Sequence, residues 1–315
     1  MKNKKAFVLI ILAGLFWGMS GIFVNLLSEY GFTPIQLVAT RATVSFLLIG
    51  AFTLIKDKKA LATSSSNILI FLGLALTLFF SMFLYYSAMV RTSVCTAVIL
   101  LNLHPIYVTA VSSVLYRERI TAVKIGAIAV MLVGCSLVSG ILGGITLDAM
   151  GLLLGVLSGV SYASYVLLVK YYNRKEIANT TANVYTFMFM TVVAVAVCRP
   201  LKLVDIAVSN AFPAIPLLVL LGICTSVIPF VLNGIALRDL SAGTVSALSI
   251  VEPLSATIYS VVFFSEPMDL FKTLGVVMML GAVVFLGLDE IWSSKKNVIR
   301  NKIGAEESVL SQGAD

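Results

Sequence analysis

The chain has 315 residues, of which 59% are hydrophobic and 12% are charged, and its formal net charge is +7. This composition excludes a disordered chain and an ordinary water-soluble domain, in which about a quarter of the residues are charged. The excess of lysine and arginine does not indicate a nucleic-acid partner, because it lies mainly between apolar segments on one predicted side of a membrane.

Apolar segments long enough to cross a bilayer recur along the whole chain. A helix of about 20 residues matches the thickness of the hydrocarbon core, so these segments predict ten transmembrane helices. The predicted spans are residues 6–27, 35–55, 68–89, 94–115, 123–140, 149–170, 180–197, 214–235, 243–264 and 272–288. The polar segment 291–315 is predicted to be a disordered cytoplasmic tail.

The amino terminus carries Lys2, Lys4 and Lys5 in front of the first apolar run. A signal peptide shares this pattern, but the run is long and lacks a small-residue cleavage site, so we interpret it as a retained span. With the start inside, 17 of the 22 lysine and arginine residues fall on the cytoplasmic side. The positive-inside rule then predicts that both termini are cytoplasmic.

The chain also repeats itself, because residues 88–124 align without a gap onto residues 236–272 at a shift of 148, with ten identities. The first span aligns with the sixth at a shift of 145, which matches Trp17 with Tyr162. This indicates a tandem duplication.

The duplication predicts a first repeat over residues 1–145 and a second over residues 146–290, each with five spans. An odd number of spans makes the second repeat enter the membrane from the opposite side. Inverted repeats of this kind recur in secondary transporters, although channels can also be built this way.

Each half has a proline in its fourth span, a glutamate after that span and glycines in its fifth span. The segments are HPIYVTAVSSVLYRERITAVKIGAIAVMLVG and EPLSATIYSVVFFSEPMDLFKTLGVVMMLG. Over residues 6–288 the chain therefore resembles the EamA-type family of the drug/metabolite transporter (DMT) superfamily. It departs from that pattern at Arg117, where a small residue is common before Glu118, and Arg41 has only Thr186 as its counterpart.

The resemblance implies an all-α integral membrane protein of ten transmembrane helices in two inverted-topology five-helix repeats. It also implies a central cavity between spans one, three, four, six, eight and nine, and a location in a bacterial plasma membrane.

His104 and Glu252 are the strongest functional candidates, because they occupy equivalent places near the middle of spans four and nine. A charge at this depth costs roughly 2.5–3.5 kcal/mol on insertion scales and is generally functional. The two residues could exchange a proton for a substrate, or they could form a buried contact that joins their spans.

Three prolines are predicted to break helices at the same level. Pro105, Pro229 and Pro253 lack the amide hydrogen that the carbonyl four residues earlier would accept in a helix. Such carbonyls are tolerated in a bilayer where they line a cavity or meet polar groups, although inert kinks are the alternative.

Two serines share a helical face with Glu252. Ser249 and Ser255 lie three residues before and after it, so that this face is predicted to point to the interior. Close packing of small residues explains the serines equally well.

Aromatic residues lie at mid-span, away from the interfaces where such rings usually concentrate. Trp17 and Tyr162, with Tyr85 and Tyr107 as further candidates, could form the walls for a flat or cationic substrate. Ordinary core packing is the alternative. Arg41 is predicted at the outer mouth, where it could attract an anionic group, or else extend to the interface or pair with a polar neighbour.

The sequence thus predicts a secondary transporter for small metabolites, amino acids or amphiphilic drugs, and no enzyme, metal or cofactor. The expected partners are a small-molecule substrate and membrane lipid, with protons as a coupling ion and a homodimer left open. An uncoupled facilitator is the nearest alternative. A lipid-modifying membrane enzyme that uses His104 and Glu252, and a channel, are the others.

Overall fold

The computed structural model describes residues 2–56, 58–92, 94–117, 120–138, 148–249, 251–264, 268–282 and 284–285. Within these ranges every regular element is a helix, and no strand is present. The helices are α1 (Lys2–Gly18), α2 (Ser20–Glu29), α3 (Pro34–Lys56), α4 (Ser65–Arg91), α5 (Val94–Leu101), α6 (His104–Leu115), α7 (Ala122–Val138), α8 (Ala149–Arg174), α9 (Asn179–Val197), α10 (Pro200–Ser209), α11 (Ala211–Gly222), α12 (Ile228–Asp239), α13 (Ala242–Leu248), α14 (Val251–Phe264) and α15 (Leu270–Ala282).

Seven helical runs are long and apolar enough to cross a membrane. They are Lys4–Glu29, Pro34–Lys56, Ser65–Arg91, Ala149–Arg174, Asn179–Val197, Phe212–Asp239 and Ala242–Phe263. The apolar helices Ala122–Leu137 and Leu270–Ala282 are shorter. The predicted all-α membrane fold is confirmed at this level, whereas the described residues do not contain ten membrane-length helices. The predicted tail, residues 291–315, and the predicted boundary between residues 145 and 146 lie outside the described residues.

The outer surface of the bundle is apolar. Ile55, Leu69 and Phe212 are 88%, 74% and 93% exposed, and large apolar side chains are exposed along most of the helices. A soluble monomer rarely presents so much contiguous apolar surface, because its contact with water is unfavourable. A surrounding bilayer removes that cost.

Several predicted spans are interrupted rather than continuous. Span four is divided by a turn at Asn102 and Leu103, and span eight contains a π-helical turn over Ile223–Val227. Span one changes from α1 to α2 at Met19, and α14 begins at Val251 after a turn at Ser249. In spans four, eight and nine a proline follows the interruption closely, and its missing amide hydrogen breaks the regular bonding pattern.

Contacts between side chains and backbone establish the relative direction of several helices. Ser161 Oγ donates to the Thr77 carbonyl over 2.8 Å, and Gly73 faces Leu168, so α8 runs antiparallel to α4. α1, α3 and α4 alternate in direction, because short connections join them. α8 therefore runs opposite to α1.

Glycines bring α1 against α14. A Cβ atom on Gly14 would lie 2.7 Å from Val251 Cβ, and one on Gly18 would lie 2.0 Å from Ser255 Oγ. Contacts that advance together along both helices show that they run parallel. Gly14 and Gly18, four residues apart in span one, thus form a close-packing face, and Gly155 makes a similar approach to Leu100 between α8 and α5.

We expect the substitution Gly18→Ala to lower the free energy of unfolding by about 1–3 kcal/mol, since the added methyl group overlaps Ser255 Oγ and nearby backbone of α14. Thermal unfolding in detergent micelles measures the loss. Gly126→Ala is the matched control, because nothing lies within 4 Å of its added Cβ. The second substitution Ser255→Ala should restore part of the loss, and equal stability of both single variants would contradict this packing.

Candidate functional site

A narrow cavity lies at the centre of the bundle, with a free volume of about 40 Å³. Small-molecule pockets usually have about 300–1,000 Å³, so the walls are contracted around the centre. Five of the residues predicted from the sequence line it: Trp17, Arg41, Tyr85, Tyr162 and Glu252. The sequence analysis did not single out the other lining residues, among them Ser20, Ser81 and Phe230.

Arg41 holds one wall of the cavity through bonds to two other helical segments. Its Nε donates to Ser226 Oγ over 2.9 Å, one Nη donates to the Tyr86 hydroxyl, and the other donates to the Thr225 carbonyl. The guanidinium also lies over the Tyr86 ring, 5.7 Å from its centroid. Arg41 is 3% exposed. The structure thus places it in the cavity wall, deeper than the outer mouth at which the sequence predicts it, because these partners draw its side chain inward.

The three prolines free carbonyls that find other donors. Pro229 follows the π-helical turn and leaves the Thr225 carbonyl to Arg41. Pro105 leaves the Leu101 carbonyl, which lies 3.0 Å from His104 Nδ1. At these two positions the freed carbonyls therefore meet polar side chains of the protein.

At Pro253 the equivalent carbonyl is that of Ser249, and it accepts the Glu252 amide over 2.9 Å. This hydrogen bond joins residues three positions apart instead of four, so the helical turn is tighter at Glu252, where the chain reaches the cavity. The third freed carbonyl is therefore also paired.

Aromatic rings form a continuous cluster beside the cavity. The Trp17 ring packs edge-on against Tyr162 and Phe230, with centroid distances of 6.3 and 5.5 Å. Tyr165 stacks on Tyr162 at 5.8 Å and meets Phe230 edge-on at 5.6 Å. Such contacts fix ring orientations, so the wall is rigid and presents ring faces and edges to the cavity.

Glu252 is the acidic group of the cavity. It is half-buried, and the Tyr85 hydroxyl lies beside its carboxyl group. Arg41 and Glu252 line the same cavity, yet among the described residues no ion pair within 4 Å joins them. Of the two charged residues that line the cavity, Glu252 therefore makes fewer side-chain hydrogen bonds to the protein than Arg41.

His104 lies next to the cavity without lining it. Its ring packs edge-on against Tyr162, with the centroids 4.8 Å apart, and is 2% exposed. Since a carbonyl oxygen only accepts, the bond to Leu101 requires a proton on Nδ1. His104 therefore belongs to the wall behind Tyr162, and the structure does not bring it into contact with Glu252.

The remaining candidates lie outside the cavity. Ser249 Oγ donates to the Val245 carbonyl over 3.0 Å within its own helix, and Ser255 Oγ donates to the Gly14 carbonyl over 3.0 Å. Tyr107 is partly buried against the core. The serines thus serve helix packing, which was one of the two interpretations of their spacing.

Within the described residues no group of three or more histidine, cysteine, aspartate and glutamate side chains could hold a metal ion. The chemistry of the site is that of one carboxyl group, one bonded guanidinium and several aromatic rings. Such a site suits binding and release of a small molecule.

The model of the EamA-like transporter family matches residues 4–140 and, a second time, residues 149–288. The chain belongs to the EamA-like transporter family. This family is part of the drug/metabolite transporter superfamily, so the predicted resemblance is confirmed. Family membership points to a membrane transporter rather than to an enzyme.

Relatives and a solved structure agree with this assignment. The chain is 26% identical over 291 residues to the "Uncharacterized transporter YxxF" of Bacillus subtilis, covering 90% of this chain and 89% of that protein. It is 28% identical over 214 residues to an "Uncharacterized transporter" of Archaeoglobus fulgidus, covering 68% and 74%. A crystal structure at 18% identity superposes with a TM-score of 0.75 over 91% of this chain and 99% of that chain, which shows the shared fold.

We expect Arg41→Lys to lower the free energy of unfolding of this EamA-like transporter by about 2–4 kcal/mol. A lysine cannot donate to Ser226, Tyr86 and the Thr225 carbonyl at once, and the unpaired groups stay buried. Chemical or thermal unfolding in detergent measures the change.

The matched control for that substitution is Arg91→Lys. Arg91 pairs with Asp148 at 3.2 Å, but its side chain is 52% exposed, so the loss should be about 0–1 kcal/mol. Equal losses at both positions would show that Arg41 does not hold the cavity wall.

Proposed function

We propose that this protein is a secondary active transporter that moves small metabolites, amino acids or amphiphilic drugs by alternating access, with protons as the coupling ion. The observation that carries the proposal is the central cavity, in which Glu252 faces aromatic rings inside an otherwise apolar bundle. We place the protein in the plasma membrane as a multi-pass protein with both termini in the cytoplasm.

Two inverted five-span halves are the architecture that we propose for this task. The family model matches twice, and the two matches correspond to the two repeats of the sequence. α8 opens the second repeat and runs opposite to α1, which opens the first. Both observations support a ten-span inverted repeat, in which spans four, five and ten do not form membrane-length helices within the described residues.

The two ends of the bundle differ in charge. The connections 58–64 and 175–178 lie at one end, where the Tyr185 hydroxyl donates to the Leu61 carbonyl over 2.8 Å. Because lysine and arginine concentrate there, we call this end the basic side and assign it to the cytoplasm.

The bundle is tied together at the basic side. Lys170 Nζ donates to the Leu237 and Leu240 carbonyls over 3.1 and 2.5 Å, and Asn173 Nδ2 donates to the Gly234 carbonyl over 3.2 Å. Asn179 Nδ2 donates to the neighbouring turn of α12 at 3.0 Å. These bonds join α8, α9 and α12 at the side on which a path for substrate would otherwise open.

The cavity extends from the centre of the bundle toward the end opposite to the basic side. Ser81 and Tyr85 belong to the half of α4 that points away from the basic side, and Ser20 lies beyond Trp17 in the same direction. A cavity on one side and a hydrogen-bonded closure on the other are the arrangement that alternating access requires of one of its two states.

Glu252 is the group that we propose for proton coupling. Three of the five N–H donors of Arg41 already bond to the protein, so we assign the binding of a substrate or a proton to the carboxylate. A carboxylate beside aromatic rings attracts a cationic group, and its protonation would release that group. Substrate and proton would therefore compete for one site.

An uncoupled facilitator of the same fold remains the alternative to the proton-coupled mechanism. A lipid-modifying enzyme would need its acid and base near the headgroup region, whereas Glu252 lies about ten residues from either end of the run Ala242–Phe263. The His104 ring packs against Tyr162, and Tyr162 rather than His104 lines the cavity with Glu252. This arrangement does not favour a joint catalytic role of His104 and Glu252.

Purified protein in proteoliposomes should accumulate its substrate when a pH gradient is imposed, and Glu252→Gln should reduce that uptake at least about ten-fold by removing the proton carrier. A thermal-shift screen of amino acids, nucleobases, polyamines and cationic drugs supplies the substrate for this assay. Glu29→Gln is the control, since Glu29 is exposed at the end of α2. Uptake by Glu252→Gln that still follows the pH gradient would favour the facilitator.

The same screen tests the aromatic wall. A compound that binds in the cavity at 100 times its Kd should stabilise the folded protein by about 2.7 kcal/mol. Trp17→Ala should abolish the stabilisation, because the ring lines the cavity and orients Tyr162. Leu69→Ala, on the lipid-facing surface, should retain it. Full stabilisation of the Trp17→Ala variant would place the binding site elsewhere.

A further inference from the structure

Nine residues in the described part of the chain have buried side-chain atoms without a hydrogen-bond partner, and three of these residues are related to the cavity by the internal repeat. The unpaired atoms of these three residues are Thr186 Oγ1, both amide atoms of Asn233 and His104 Nε2. The three residues are 1%, 1% and 2% exposed. Unpaired polar groups are unfavourable inside a membrane protein. Their presence is explained if the protein has a second conformation in which these groups are paired.

The internal repeat relates these residues to the polar wall of the cavity. The shift of 145 carries Arg41 onto Thr186, and the shift of 148 carries Glu252 back onto His104. The same shift of 148 carries Tyr85 onto Asn233. The polar residues Arg41, Tyr85 and Glu252 of the cavity thus have three buried counterparts, each with at least one unpaired atom.

Helix boundaries support this alignment independently of residue identity. α3 begins at Pro34 and α9 begins at Asn179, which is a shift of 145. α4 ends at Arg91 and α12 ends at Asp239, which is a shift of 148. The paired residues therefore lie at equal distances from equivalent helix ends.

We propose that Thr186, Asn233 and His104 form the polar wall of a second cavity, which opens to the basic side when the first cavity closes. The inference rests on the proposed alternating access between inverted halves. In the conformation described here the second cavity is collapsed, and its polar groups are buried against neighbouring helices.

Two further unpaired groups continue from this wall toward the basic side. Asn183 Nδ2 lies one turn nearer to the start of α9 than Thr186. Ser246 Oγ lies in α13, between Glu252 and the start of that helix. Beyond them the bonds from Lys170 and Asn173 close the bundle. The unpaired groups thus lie between the centre and the closure.

The second wall differs from the first in charge. Threonine and asparagine replace the guanidinium and the phenol, and an imidazole replaces the carboxylate. A charged substrate would therefore meet hydrogen-bonding groups without a permanent charge on the basic side. We expect that side to hold a charged substrate more weakly than the opposite side does.

Cysteine accessibility tests the proposal on the full-length protein. Asn233→Cys and Thr186→Cys are made separately after replacement of the four native cysteines by alanine, and each variant is checked by size-exclusion chromatography. Membrane vesicles of either orientation are treated with a membrane-impermeant methanethiosulfonate reagent that carries a quaternary ammonium group. Ser81→Cys reports on the first cavity, and Ala194→Cys, which is equally buried in α9, is the control.

Each variant is compared with and without the additional substitution Lys170→Met, which removes two bonds of the closure on the basic side. We expect Asn233→Cys and Thr186→Cys to react from the basic side, at least about ten-fold faster with Lys170→Met, because the reaction rate follows the population of the open state. Ser81→Cys should react more slowly in the same background, and Ala194→Cys should not react.

The outcomes separate this inference from the proposed function. If Ser81→Cys slows while Asn233→Cys and Thr186→Cys stay unreactive, the cavity alternates but these residues do not line its second form, and the inference is wrong. If all three react without any slowing at Ser81→Cys, a continuous pore replaces alternating access and both proposals fail. Both also fail if Ser81→Cys is unchanged and the other two never react.

Discussion

The structure depends on one constraint, that backbone polar groups inside a bilayer must find partners within the protein. Pro105, Pro229 and Pro253 each remove a donor near the centre of a span, and each freed carbonyl receives another one. The donors are the side chains of His104 and Arg41 and the backbone amide of Glu252. Two of the three helix breaks are therefore satisfied by ionisable side chains, and the third by the backbone of an ionisable residue.

This pairing also determines which ionisable side chain lines the cavity without a bond to a freed backbone carbonyl. Arg41 and His104 use their side chains to bond freed carbonyls, whereas Glu252 bonds the Ser249 carbonyl with its backbone amide. Its carboxyl group stays available, with the Tyr85 hydroxyl beside it. The carboxylate of Glu252 is therefore not bonded to a freed carbonyl, whereas the side chains of Arg41 and His104 are.

The sequence was sufficient for the helices, the membrane, the family and the aromatic and acidic residues of the cavity, because these follow from hydrophobic length and from the repeat. It was not sufficient for Arg41, whose depth depends on Ser226 and Tyr86, residues 185 and 45 positions away. The prolines indicated breaks in spans four, eight and nine, whereas the change of helix at Met19 in span one has no nearby proline to mark it. Ser20, three residues after Trp17, could have been found from helical spacing.

The duplication explains why a bundle of two similar halves has an asymmetric site. Equal halves would give equal walls toward both sides of the membrane, and a substrate would bind equally from each. In this chain the first cavity has Arg41 and Glu252, and their counterparts are Thr186 and His104. Divergence at these few positions changes the charge of the wall, while Gly14 and Gly159, and likewise Pro105 and Pro253, keep matching positions in the two halves. In the proposed alternation the fold can therefore remain close to symmetric for the movement while the affinity for substrate differs between its two sides, and the gradients of substrate and proton set the direction of net transport.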